Sequence, residues 1–239
     1  MLQWIFLVVA LLLTVTTKAQ QPKIEGEAAY RNVGPFRKIR VGDGIELVLT
    51  QAEKVTVAAS ASRPEYLQQL KTEVVQEELK VYYNRESLSD WTASGKKLKV
   101  YVSVPRMEQL TAATGAAVRV EGALKAAALQ MDLRSGASFR GNLQASKLVV
   151  TVETGARAQL EGKAEALFVQ ASSGGRVEAY DVAADTADVK VSTGAVVQTA
   201  AADAFILQAS TGGSIRYKGK ARILTLHIKT GGTVRPFNE

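Results

Sequence analysis

The side chains able to do chemistry in this chain are few in kind. Its 239 residues include no cysteine and one histidine, His227. A thiol nucleophile, a cysteine-ligated zinc or iron–sulfur site, a disulfide framework and a multi-histidine metal centre are therefore excluded. Cutting an acidic polysaccharide would need an acid–base carboxylate pair or carboxylates clustered around calcium. The nearest match is Asp132 with Glu153, and Arg134 beside them. A single carboxylate pair next to a cation reads more simply as a surface ion-pair network. Serine and threonine hydroxyls recur in seven equivalent places, but one histidine cannot activate them all, so no catalytic residue is expected. Anion recognition is the remaining chemistry. Arg119, Arg140, Arg157, Arg176, Arg216 and Arg235 recur in step along the chain, and guanidinium forks suit carboxylate or sulfate groups.

The elements that must position those arginines are repeats. A triad recurs as Thr114-Gly115-Ala116, Ser135-Gly136-Ala137, Thr154-Gly155-Ala156, Ser173-Gly174-Gly175, Thr193-Gly194-Ala195, Thr211-Gly212-Gly213 and Thr230-Gly231-Gly232. Successive central glycines are 21, 19, 19, 20, 18 and 19 residues apart. Before each glycine, apolar residues stand at alternate positions, as in Leu148, Val150 and Val152 or Phe205, Leu207 and Ala209; three residues after it stand Val118, Phe139, Ala158, Val177, Val197, Ile215 and Val234. Period-two alternation on both sides of a turn means two strands, each with one buried face. A unit this short cannot bury its own apolar face, whereas stacked units can. The prediction is an all-β fold, a parallel β-helix (β-solenoid) of about seven coils, roughly 34 Å long at about 4.8 Å per coil. Leu133, Val152, Val169, Val191, Leu207 and Ile228 are expected in its core, with Leu224 and Leu226. Gly115, Gly136, Gly155, Gly174, Gly194, Gly212 and Gly231 are expected as structural corners, supplying a backbone conformation costly for other residues. Counting parity from the core, the Ser/Thr of each triad should point inward, which leaves no outward threonine pairs for an ice-binding array.

The front of the chain divides into three. Residues Trp4 to Val15 form an apolar run followed by small and polar residues up to Ala19. At 1.5 Å per residue such a helix is about 18 Å long, too short for a hydrocarbon core of roughly 30 Å. It has the shape of a secretory signal peptide, residues 1–19, cleaved after Ala19; an uncleaved anchor is the alternative. No cysteine follows to carry a lipid. Export is thus expected, to a periplasmic, outer-surface or extracellular location. The whole chain carries a net charge of +7, and losing Lys18 leaves the mature chain at +6, a balance that favours anionic surfaces. Residues 20–35 read as a loose lead-in and 36–106 as a β-rich segment. That segment has a turn at Gly42-Asp43-Gly44, a short helix at 63–70 with Ser62 as N-cap and Pro64 in its first turn, and a polar loop carrying Trp91. Residues 107–239 hold the repeats, and 36–239 read as one continuous unit.

These elements resemble the head GIN domain family, labelled autotransporter adhesins. The likeness rests on Phe36, Ile39 and Val41-Gly42-Asp43-Gly44-Ile45-Glu46-Leu47, then Val100-Tyr101-Val102-Ser103-Val104-Pro105 with Leu110, then the Thr-Gly-Ala triads. It covers about residues 30–235. Glu46 stands where the family's Gly-Ile-Asn string has Asn. The resemblance implies a secreted or surface β-solenoid of Bacteroidetes-like bacteria without established catalytic residues.

Two outward faces could bind. The arginines, partly neutralised by Glu121, Glu161 and Glu178, should align into one basic stripe suited to an anionic polymer. Val149, Phe168 and Ile206, interrupted by Asp188, should align on the other strand, where the N-terminal segment or the tail is expected to pack over them; an exposed apolar docking patch is the alternative. The expected function is non-catalytic, adhesin-like binding of an anionic glycan or a surface protein. A polysaccharide-active enzyme and a structural envelope protein are the alternatives. No cofactor or metal is expected, nucleic-acid motifs are absent, membrane contact is expected only through export, and an oligomer is compatible with the pattern.

Overall fold

The computed structural model describes residues 28–85 and 96–237. The expected signal peptide and Trp91 lie outside them. Within them the elements run β1 (Ala29–Arg31), β2 (Lys38–Val41), β3 (Glu46–Gln51), β4 (Thr56–Ala61), α1 (Pro64–Gln69), β5 (Leu70–Val75), β6 (Glu78–Tyr83), β7 (Leu98–Val104), β8 (Gln109–Ala112), β9 (Ala117–Leu133), β10 (Ser138–Val152), β11 (Arg157–Ala171), β12 (Arg176–Val191), β13 (Val196–Ala200), β14 (Ala204–Ala209), β15 (Ser214–Lys218), β16 (Arg222–Ile228) and β17 (Thr233–Pro236).

The fold is the expected parallel β-solenoid. β9, β10, β11 and β12 pair in parallel along their lengths, and β13 to β17 continue the stack. Alternation decides what is buried: in β10, Phe139, Leu143, Leu148, Val150 and Val152 face in, while Arg140 and Lys147 face out. Each fully buried side chain of this kind contributes about 1.5–3 kcal/mol relative to exposure. The phase reverses where two successive residues point outward, as at Ala127-Ala128, Ser146-Lys147 and Asp185-Thr186. That reversal forms a second corner, and β12 carries a further reversal at Tyr180-Asp181.

The first corner is the triad. Thr154 and Gly155 have φ of 51° and 70°, and the Ala156 N–H donates to the Glu153 carbonyl at 3.1 Å. Two successive left-handed residues closed by that bond describe a type I′ turn. The other six triads close likewise, and so does Gly42-Asp43-Gly44-Ile45. The eight turns stack, the N–H of each turn glycine from Gly44 to Gly212 donating to the Ser or Thr carbonyl of the next turn at 2.9–3.2 Å. The hydroxyl residues point outward, contrary to the parity count, because the two turn residues project from the bend and the third residue returns to the core. Ala116, Ala137, Ala156 and Ala195 are accordingly fully buried. The outward hydroxyls form a single row beside a row of glycines, so an array of threonine pairs is still not formed. Five of these residues are β-branched threonines in a conformation usually left to Gly or Asn.

The N-terminal part joins the same stack. β2 pairs in parallel with β8, and β3 with β9; β6 and β7 add a further level on β2 and β3. Antiparallel strands close that end: β5 on β6, β4 on β7 and β1 on β4. β1 thus lies within the stretch read as a loose lead-in. The helix begins after Arg63, with no side-chain cap. The Ser62 hydroxyl is not the expected N-cap because it accepts from the Lys97 N–H at 3.3 Å instead.

At the opposite end the expectation fails. Leu207 is fully buried, but Leu226 and Ile228 below Leu207 and Ala209 are 48% and 47% exposed. No described strand pairs with the outer edges of β16 and β17, so their inward side chains have neighbours on one side only. Leu224 is displaced from the core by an extra residue: Phe205 pairs with Ile223 and Ile206 with Thr225.

Candidate functional site

The alternation that buries Val118, Phe139, Ala158 and Val177 turns their neighbours outward on the strand after the first corner. Arg119 pairs in register with Arg140, and Arg157 with Arg176, one row over. Neighbouring strands lie about 4.8 Å apart, so four guanidinium groups share one patch. They line a shallow groove of about 450 Å³ with Glu46, Gln159 and Glu178. Arg119 is held by Glu121 at 2.9 Å and Glu46 by Lys99 at 3.4 Å. Arg140, Arg157 and Arg176 make no ion pair among the described residues, so three cationic forks face solvent unneutralised. Arg216 and Arg235 also pair in register, but Val196 and Gln198 separate them from the four. The six arginines share a face and form two groups rather than one stripe. Beside the second group, Tyr180 packs at a tilt against Phe237, 5.0 Å between ring centres. Burial raises the Tyr180 pKa, and Arg216 and Lys218 partly oppose that.

On the other strand Val149, Phe168, Asp188 and Ile206 occupy one row. Phe168 is exposed, with the Lys147 ammonium 5.2 Å from its ring centre. The tail's Phe237 packs instead on Tyr180.

The carboxylates do not assemble an acid–base pair. Asp132 registers with Thr151, and accepts from Gln130 at 3.1 Å and from Gln109 at 3.5 Å. Glu153 lies in the neighbouring row and accepts from the Ser172 hydroxyl at 3.4 Å. Neither forms an ion pair with Arg134, so the expected ion-pair network is a set of separate hydrogen bonds. No cluster of three or more His, Asp or Glu side chains among the described residues could hold a metal ion.

Sequence reading missed a wider groove, of about 1120 Å³, beside the second corner. Ala126, Ala145 and Ala164 form its floor, Lys125 and Lys163 stand along one side, and Glu165 and Asp185 along the other. The signal was present in the register of those alanines, nineteen residues apart, but small residues announce a hollow only once the bend is known.

The family described as "Putative auto-transporter adhesin, head GIN domain" matches residues 35–221. This chain belongs to that family. Among solved structures, a putative adhesin from Bacteroides fragilis superposes with a TM-score of 0.79 at 19% identity, covering 92% of this chain and 100% of its own. A putative adhesin from Parabacteroides distasonis gives 0.71 at 17%, covering 88% and 96%. A protein of that organism described as a putative lipid binding protein gives 0.70 at 14%, covering 89% and 96%. At these identities the likeness establishes the solenoid fold. No curated protein matches the chain.

Proposed function

We propose that this head GIN domain protein is a non-catalytic, adhesin-like binder exported from the cytoplasm, and that Arg119, Arg140, Arg157 and Arg176 engage an anionic glycan. The observation that supports this reading is the groove in which three of these four guanidinium groups lack an acidic partner. The long alanine-floored groove carries both signs of charge and is less suited to select an anion. Family membership supports the adhesin-like role, and the short apolar run ending at Ala19 supports export. Exported protein should begin at or near Gln20, which mass spectrometry of the mature form reads directly.

The test changes Arg119, Arg140 and Arg157 together to Ser and measures binding to an array of sulfated and uronic-acid glycans at two salt concentrations. The wild type should bind more weakly as salt rises, because exposed charges are screened beyond about 8 Å at physiological ionic strength. The triple variant should lose at least roughly tenfold in affinity while melting within about 3 °C of the wild type. Full retention, or binding indifferent to salt, would remove the arginine face and leave the Val149–Phe168–Ile206 row as the next surface. Glycan cleavage abolished by Asp132→Asn or Glu153→Gln would establish the polysaccharide-active alternative instead.

A further inference from the structure

The open end of the solenoid has a chemistry of its own. Among the described residues β16 and β17 each pair on one side only, with β14 and β15, so a row of backbone N–H and C=O groups faces outward along both. An unpaired edge is a template for another strand. Beneath it Ile223, Leu226 and Ile228 are each more than a third exposed, whereas Phe205, Leu207 and Ala209 directly above them are buried. A lipid phase would not satisfy those backbone groups, since hydrocarbon offers no hydrogen-bond partner; a β-strand would.

Charge narrows the choice of strand. From residue 204 to 238 the chain has six Lys and Arg and no Asp or Glu. Arg222, His227 and Lys229 lie at exposed positions beside the apolar row of β16. Two copies meeting end to end would bring the Arg222 and Lys229 cations of both together, and like charges on facing strands are destabilising. An acidic strand would be attracted and fixed in register.

We infer that the C-terminal coil is a docking edge for a β-strand of another protein that alternates apolar residues, which complete the core under Ile223, Leu226 and Ile228, with acidic residues, which face Arg222, His227 and Lys229. This is strand addition to a sheet edge, in which main-chain bonds give affinity and alternate side chains give specificity. The inference is independent of the arginine groove, which lies several coils away.

The probe is a labelled synthetic peptide of alternating valine and glutamate, titrated into the full chain by fluorescence anisotropy. Its valine–lysine counterpart and a valine–glutamate peptide N-methylated along one edge are the controls. The valine–glutamate peptide should bind at least about tenfold more tightly than either control, a difference of about 1.4 kcal/mol. Arg222→Glu with Lys229→Glu, both exposed, should reverse the preference toward the lysine peptide, and Leu226→Lys should abolish binding of both. Equal binding of the N-methylated peptide would overturn strand addition. A stable dimer in sedimentation that dissociates on Leu226→Lys would assign the edge to a second copy. Flotation with phosphatidylglycerol vesicles, lost in the same variant while the peptide fails to bind, would assign it to a membrane.

Discussion

The two ends of the solenoid solve the same problem differently. At the N-terminal end the last parallel strands, β6 and β7, are covered by antiparallel β5 and β4, and Tyr66 and Leu67 of α1 add partly buried contacts. Leu79, Val81, Val100 and Val102 are buried there as completely as any residue mid-stack. At the C-terminal end β16 carries the same kind of apolar alternation, yet Ile223, Leu226 and Ile228 stay in contact with solvent. The difference lies in the number of neighbouring coils, not in the side chains. Each coil supplies half of its neighbour's enclosure, which is why terminal repeats need a cap.

The contrast can be broken most directly with a pair of truncations. Leu79→Ala should cost about 2–5 kcal/mol, as fully buried leucines do, and Leu226→Ala less than about 1 kcal/mol; urea denaturation measures both. Equal costs would mean that the C-terminal end is covered in solution. A smaller effect is expected from two glycines that meet the same obstacle. A Cβ on Gly175 would lie 2.4 Å from the Val152 carbonyl oxygen, and one on Gly232 2.4 Å from that of Ala209. Gly175→Ala, held between coils, should cost about 1–3 kcal/mol. Gly232→Ala should cost less than half as much, because the last coil can move away. A similar loss at both sites would show that the end coil is held as firmly as the middle. The smallest expected change tests what does not depend on position. Thr154 and Thr230 have φ of 51° and 45°, and asparagine tolerates that conformation better than a β-branched residue. Thr154→Asn and Thr230→Asn should each stabilise by up to about 1 kcal/mol, raising the melting temperature slightly. A gain confined to Thr154 would tie the strain to the stack rather than to the turn.

Much of this architecture was legible because its cause is local and repeated. Seven phased triads can only be turns, and the alternation around them can only be strands with one buried face. The outward placement of the arginines followed from the same parity. Reading failed where phase changed for reasons the alternation does not carry. The triad hydroxyls point outward because a two-residue type I′ turn interrupts the count, and Leu224 is displaced by the extra residue in β16. Gly42-Asp43-Gly44 was recognisable as a turn, but its place as the eighth member of the corner column depends on β2 and β3 stacking on β8 and β9.

The sequence by itself determined the solenoid, the corner glycines, the inward apolar rows and the charge excess, since each depends on residue type at fixed spacing along one coil. Only the tertiary structure decided which arginines form a group, where the large groove opens, and that the described residues cover one end and leave the other without a further strand. Those features depend on register between coils and on how many neighbours a coil has. Residues that read alike along the chain therefore end in different surroundings: Leu207 sits between two coils and Leu226 below the last one.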